Sequence, residues 1–279
     1  MKFSDYIKAE SGRIWRDASA KHQRDVLKQI ERFSSFADHA DRDIADFLPR
    51  DIYSFMDALI EGGLSKASAN RYMSAISKVF KHATEMEDIS HPPKCRWYKT
   101  KSNRVRYFTD SECKQIEEFF DGHKHSWMKQ VFLIGINTGM RLGEIIEIGR
   151  SVNIETDADG SKWLFLPQTK NGDQRYVPLN KIAQKAIQEL GGCVADHFSH
   201  RTFYDAWEDC RYAVAKGDKE FVFHVCRHTC ATRLANDLGA QTLIIGKMLG
   251  HRSEATTAKY VKAKASTLRD FATALEKVA

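Results

Sequence analysis

Apolar residues recur at spacings of three and four through residues 1 to about 90, the period of helices that bury one face. Over 19–37, Val26, Leu27, Ile30, Phe33 and Phe36 form such a stripe. Pro49 suits a helix's first turn and opens a second segment holding Ile52, Phe55, Met56, Leu59 and Ile60, which Gly62-Gly63 stops. Ser65 or Ser68 can cap a third helix, with Tyr72, Ile76, Val79 and Phe80 on one side and Lys66, Arg71, Ser74, Lys78 and Lys81 on the other. Residues 1–18 leave room for a short appendage only. His91-Pro92-Pro93 ends the helical region, because proline lacks an amide hydrogen and restricts its neighbour.

The pattern then changes. Thr109 stands three residues before Glu112, as in a capping box, and predicts a helix start. Trp127 to Asn137 is apolar enough for a buried helix, which Thr138-Gly139 breaks; Arg141 begins another, with Ile145, Ile146 and Ile148 inward. Val152–Ile154, Trp163–Leu166 and Arg175–Leu179 are short and β-prone, and Asn171-Gly172 is a hairpin-turn signal between the last two. Helical patterns return at Lys181–Glu189, Arg201–Ala215, Arg227–Asp237, Gln241–Met248, Thr256–Ala265 and Thr267–Lys277. The expected fold class is mainly α with a small antiparallel β-sheet.

Composition narrows the setting. The 279 residues are 42% hydrophobic and 29% charged, enough for two domains with their own cores. No apolar run reaches the ~18 residues of a membrane helix, and the N-terminus lacks a signal-peptide pattern, so a cytoplasmic protein is expected. The six cysteines contain no C-x-x-C pair and are expected to be mostly buried free thiols. Net charge is +6, and most of the excess falls before residue 107. Lys94, Arg96, Lys99, Lys101, Arg104 and Arg106 form an acid-free run around Trp97 and Tyr98. Cations release counterions from a DNA backbone and aromatics pack on its sugars, although a solvated linker has the same composition. Lys66, Arg71 and Lys78 extend the candidate DNA-binding set under the same alternative.

Six residues carry the candidate chemistry: Arg141, Lys170, His224, Arg227, His251 and Tyr260. Two arginines, two histidines and a lysine can clamp one phosphodiester, and the tyrosine can attack it. Arginine offers a planar fork of donors and stays charged. Arg141 follows a glycine turn, and Glu144 lies one helical turn on, placed to orient it or to form an ordinary surface pair. His224 and Arg227 share a face if helical. His224, Cys226, His228 and Cys230 also suggest a metal, but no H-E-x-x-H glutamate or second cysteine pair is present, so none is expected. Gly250 is placed to end a helix in a left-handed conformation, putting His251 on a turn; Thr256 can cap the next helix with Tyr260 one turn in. Only ~0.1% of an ordinary tyrosine is ionised at pH 7, so a nucleophilic tyrosine needs nearby cations and a base.

These boxes resemble the tyrosine recombinases, the phage-integrase family. Thr138-Gly139-Met140-Arg141-Leu142-Gly143-Glu144 is similar to its first arginine box, His224-Val225-Cys226-Arg227-His228 to its H-x-x-R box, and Leu249-Gly250-His251 through Tyr260 to its last. Lys170, before the Asn171-Gly172 turn, is similar to its hairpin lysine. Cys226 stands where the family more often has leucine, a difference of packing. The resemblance implies a helical core-site-binding domain at 1–93, a basic linker at 94–106 and an α+β catalytic domain at 107–279. It implies that Tyr260 forms a 3′-phosphotyrosyl link and that Arg141 and Arg227 hold the non-bridging oxygens. His251 would hydrogen-bond the phosphate, Lys170 protonate the leaving 5′-oxygen, His224 act as base, and Glu144 support the site. No cofactor is implied, and no G-x-x-x-x-G-K-[ST] loop for ATP is present. Implied partners are double-stranded core sites, further copies of the chain assembled as dimer to tetramer through the amphipathic last helix (Leu268, Phe271, Leu275, Val278), which could instead pack on its own domain, and accessory DNA-bending or directionality proteins. The alternatives are a non-catalytic DNA-binding excision or transcription factor on this fold, or a type IB topoisomerase or telomere resolvase with the same chemistry.

Overall fold

The structure, a computed structural model, describes residues 1–95, 97–100, 106–167 and 174–261. The chain divides into two compact units, Met1–Asn103 and Arg104–Ala279. No described helix is long and apolar enough to cross a membrane.

The first unit holds α1 (Phe3–Ile14), α2 (Ala20–Ser34), α3 (Pro49–Glu61) and α4 (Lys66–Glu85), with two short 3₁₀ turns between α2 and α3. The apolar stripes meet in one core of Phe3, Ile30, Phe33, Ile52, Phe55, Met73, Ile76 and Phe80. Its centre is aromatic: Phe3 lies edge-on to Phe33 at 5.4 Å between ring centroids, and Phe33 to Phe55 at 5.1 Å. Residues 1–18 are no appendage. Phe3 and Tyr6 of α1 are fully buried, and the Phe3 amide donates to the Arg42 carbonyl at 2.8 Å, so α1 is part of the core. Ser65 caps α4 by accepting from the Ser68 amide, and Pro49 occupies the first turn of α3.

The second unit holds α5 (Asp110–Asp121), α6 (Trp127–Thr138), α7 (Leu142–Ile146), β1 (Asn153–Thr156), β2 (Lys162–Leu166), β3 (Arg175–Pro178), α8 (Lys181–Glu189), α9 (His200–Ala215), α10 (Val225–Asn236), α11 (Thr242–Leu249) and α12 (Glu254–Ala258). Mainly α with one small antiparallel sheet is therefore the observed class. The strands run in the order β1-β2-β3, with Ile154 opposite Leu164 and Leu164 opposite Val177. Leu164, Leu166 and Val177 face the core while Tyr176 and Pro178 face out, the period-two alternation of a half-buried sheet. The capping box at Thr109 and Glu112 forms as its spacing predicts. α6, apolar on most sides, is packed by α5, α7, α8 and α10. Cys113, Cys210, Cys226 and Cys230 are buried free thiols, whereas Cys95 and Cys193 are partly exposed. The segment 267–277 and the Asn171-Gly172 turn lie outside the described residues.

Candidate active site

The site is built where helices of the second unit end. α6 stops at Gly139, whose φ of +65° is the left-handed conformation that glycine adopts freely. A β-carbon there would also strike the Leu249 side chain. The chain turns, and Arg141 caps α7 with extended backbone. Glu144 serves Arg141 twice: Oε2 accepts from its amide at 2.8 Å, and Oε1 accepts from Nη1 at 2.9 Å. The pair is a structured bidentate contact rather than an ordinary surface pair, since Glu144 is only 11% exposed.

Arg227 lies in the first turn of α10 and is 2% exposed. It donates from Nη1 to the Gly139 carbonyl at 2.8 Å and from Nη2 to the Leu249 carbonyl. Both acceptors are neutral, and among the described residues no carboxylate is in direct contact with its charge. His224 caps α10, its ring meeting that of His228 edge-on at 4.9 Å. No group of three His, Cys, Asp or Glu among the described residues is placed to hold a metal.

α11 ends at Gly250, with φ +69°, as its place in the sequence predicts. The next residue, His251, is fixed by its amide, which donates to the Gly246 carbonyl at 2.9 Å, and by Nδ1, 2.8 Å from the Thr257 hydroxyl. Tyr260 departs from its expected place. Ser253 rather than Thr256 precedes α12, which closes at Ala258, so Tyr260 lies just past the helix instead of one turn in. A five-residue helix ends there because the Tyr260 amide bonds back to Thr257, and the Tyr260 carbonyl accepts from Asn236 of α10. The ring, 3% exposed, packs with Ala231, Ile245 and Leu249. His251 stacks parallel to it at 6.2 Å, His228 tilts against it at 5.6 Å, and the Lys259 ammonium lies 5.2 Å from its centre.

One member of the cluster has no sequence signature. Arg175, at the start of β3, donates to Glu144 Oε2 at 2.8 Å and to the Leu249 carbonyl at 2.9 Å. Only its place five residues after Lys170 could have drawn attention to it. Thr257 and the carbonyls of Gly139 and Leu249 were equally silent. Lys170 itself lies outside the described residues, so the structure brings together Arg141, Glu144, His224, Arg227, His251 and Tyr260.

Charge and burial act in one direction. Burial, with the cations of Arg227, Arg141 and Lys259, lowers His251 to about 4. His224 is also lowered to about 4, by desolvation and then by His228, Arg227 and Arg141, although the residue as a whole is exposed. Burial and the neighbouring arginines lower Arg227 to about 10. Burial raises the Tyr260 phenol, with Arg227 opposing. The cleft is a place where further positive charge is unwelcome and an anion is favoured.

Of the candidate DNA-binding residues, Lys66, Arg71 and Lys78 are exposed along α4 and make no ion pair among the described residues. Lys94 and Lys99 are exposed as well; Arg96, Lys101 and Arg104 lie outside the described residues. Tyr98 is held to the first unit, its hydroxyl donating to Asp57 at 2.8 Å and its amide to Asn70 at 3.0 Å. Arg106 is engaged within the second unit by Glu112 and Asp218, at 2.6 and 2.8 Å.

Comparison with known proteins gives a consistent answer. The model of the phage integrase family matches residues 106–267, and that of the phage integrase N-terminal SAM-like domain matches 2–87. A putative integrase/recombinase of Haemophilus influenzae is 28% identical over 90% of this chain and 83% of its own length. Tyrosine recombinase XerC of Pediococcus pentosaceus is 22% identical over 96% of this chain and 94% of its own. Among solved structures, a lambda integrase dimer bound to a COC′ core site superposes with a TM-score of 0.75 at 18% identity, covering 95% of this chain and 97% of that one.

Proposed function

The chain belongs to the phage integrase family, and on that premise we propose that it is a site-specific DNA recombinase that cuts and rejoins strands through Tyr260. The observation that carries this reading is the imbalance of charge beside that tyrosine. Arg141, Arg175 and Arg227 converge with Glu144 as the one carboxylate bonded to any of them among the described residues. A phosphodiester supplies the missing negative charge, and its pentavalent transition state supplies more.

The geometry of the described residues and the family likeness support the following roles. Arg141 and Arg227 hold the two non-bridging oxygens. With the Thr257 hydroxyl, 2.8 Å away, as donor to His251 Nδ1, the ring's proton sits on Nε2 and donates to the phosphate. His224 is neutral at pH 7 and accepts the Tyr260 proton as Oη attacks phosphorus. The P–O5′ bond breaks as the tyrosyl bond forms, and Lys170 gives a proton to the leaving 5′-oxygen. A 5′-hydroxyl from another strand reverses these steps, so the phosphoester energy is conserved and the balance needs neither ATP nor metal. Residues 1–93 bind the core site, with Lys66, Arg71, Lys78, Lys94, Arg96, Lys99, Lys101 and Arg104 toward the backbone. Segment 94–106 connects, and 107–279 carries the chemistry. Copies assemble on DNA through 267–277, with accessory bending or directionality proteins.

Incubation with nicked duplexes from the DNA flanking its own gene, without metal, is expected to give a covalent protein–DNA adduct on a denaturing gel. Tyr260→Phe should bind the same duplex and give none. Specific binding with no adduct from the unaltered protein would overturn the catalytic reading in favour of a DNA-binding factor.

A further inference from the structure

Arg175 closes a circuit between parts of the site that are distant in sequence. Its side chain is 7% exposed, and its two terminal nitrogens reach different elements. Nη2 donates to Glu144 Oε2, while the other oxygen of that carboxylate holds Arg141 Nη1. Nη1 donates to the Leu249 carbonyl, which also receives Arg227 Nη2. One guanidinium thus shares an acceptor with each of the two phosphate-facing arginines. The Leu249 carbonyl also lies two residues before His251. Gly250 leaves the space that this requires, because a β-carbon there would collide with Arg175 Nη1.

The placement is costly as simple packing. Burial disfavours the charge on Arg175, Glu144 opposes this and the Arg141 cation adds to it, and no described residue hydrogen-bonds its buried Nε. An apolar side chain would fill this volume without that penalty, but it could not bridge two acceptors in one plane.

We infer that Arg175 is a positioning residue: it holds Glu144 and the Leu249 carbonyl in register so that Arg141, Arg227 and His251 meet one phosphate, and it ties β3 to that site. The inference rests on the recombinase reading. It predicts that geometry, more than charge, is what Arg175 contributes. Lysine keeps the charge but cannot span both acceptors as a planar fork.

The test is single-turnover adduct formation on the nicked duplex, with protein titrated to saturation and thermal unfolding followed in parallel. Arg175→Lys is expected to lower the saturating rate by about 10- to 100-fold, the scale on which small misplacements act. The half-saturating concentration should stay unchanged. The double variant Arg175→Lys with Glu144→Gln should be no slower than the slower single variant, since both break one circuit. A wild-type saturating rate for Arg175→Lys overturns the proposal, as do multiplying losses in the double variant or a rate that falls only with the folded fraction. Should Arg175→Lys fail to fold, Glu144→Gln cuts the same bond from its other end, and a wild-type rate there overturns the proposal equally. Absence of adduct from the unaltered protein would instead strike at the recombinase reading.

Discussion

At the scale of single residues, burial among cations sets the protonation of the site before any ligand arrives. An unfolded chain protonates histidine near 6.5, whereas the folded protein holds His251 at about 4. Between those values the unfolded state carries the extra proton, so stability falls as pH drops from 6.5 toward 4. Melting temperatures of DNA-free protein across this window should therefore decline, and His251→Asn should make the decline shallower. A variant curve parallel to that of the unaltered protein would refute the assignment. A bound phosphodiester reverses the effect, because its negative charge favours the imidazolium. The same burial explains why Tyr260 is a poor nucleophile until a base is beside it: its phenol is raised, although Arg227 works against the rise. The identities of Arg141, Arg227, His251 and Tyr260 were legible because each sits in a short local context. Arg175 was not, since no neighbouring residue reveals that its partners are Glu144 and a backbone carbonyl beyond α10.

At the scale of elements, helix ends do most of the positioning. Gly139 and Gly250 end α6 and α11 in left-handed turns, and each leaves room for a neighbour's side chain, Leu249 in one case and Arg175 in the other. These stops were readable from the glycines themselves. The start of α12 was not: Thr256 is as good a cap by composition as Ser253, and in the fold Thr257, inside the helix, bonds His251. α4 presents another readable face. Its apolar side fills the first unit's core, and Arg71, Ser74, Lys78 and Lys81 point outward. If that face follows a DNA backbone, Arg71→Ala with Lys78→Ala should reduce the slope of log affinity against log salt by about 2. An unchanged slope would mark it as an ordinary solvated helix face.

At the scale of the whole molecule, the two units have separate cores, and every candidate catalytic residue described lies in the second. Strand exchange between two duplexes needs several active sites held together, so assembly on DNA is a separate requirement from cleavage. Deleting residues 267–279 should abolish recombination while sparing adduct formation on a single half-site. Full recombination by the truncated protein would remove this segment from the assembly. What the sequence by itself determined is the order and type of most elements, the family, and the candidacy of the six boxed residues. Periodicity, caps and glycine stops act over a few residues and are written where they act. Only the tertiary structure decided that α1 belongs to the first core, that Tyr260 packs beyond its helix against His228 and His251, and that Arg175 joins Glu144 to the Leu249 carbonyl. Those outcomes depend on contacts between distant positions and on backbone groups that every residue possesses, so no local pattern can announce them.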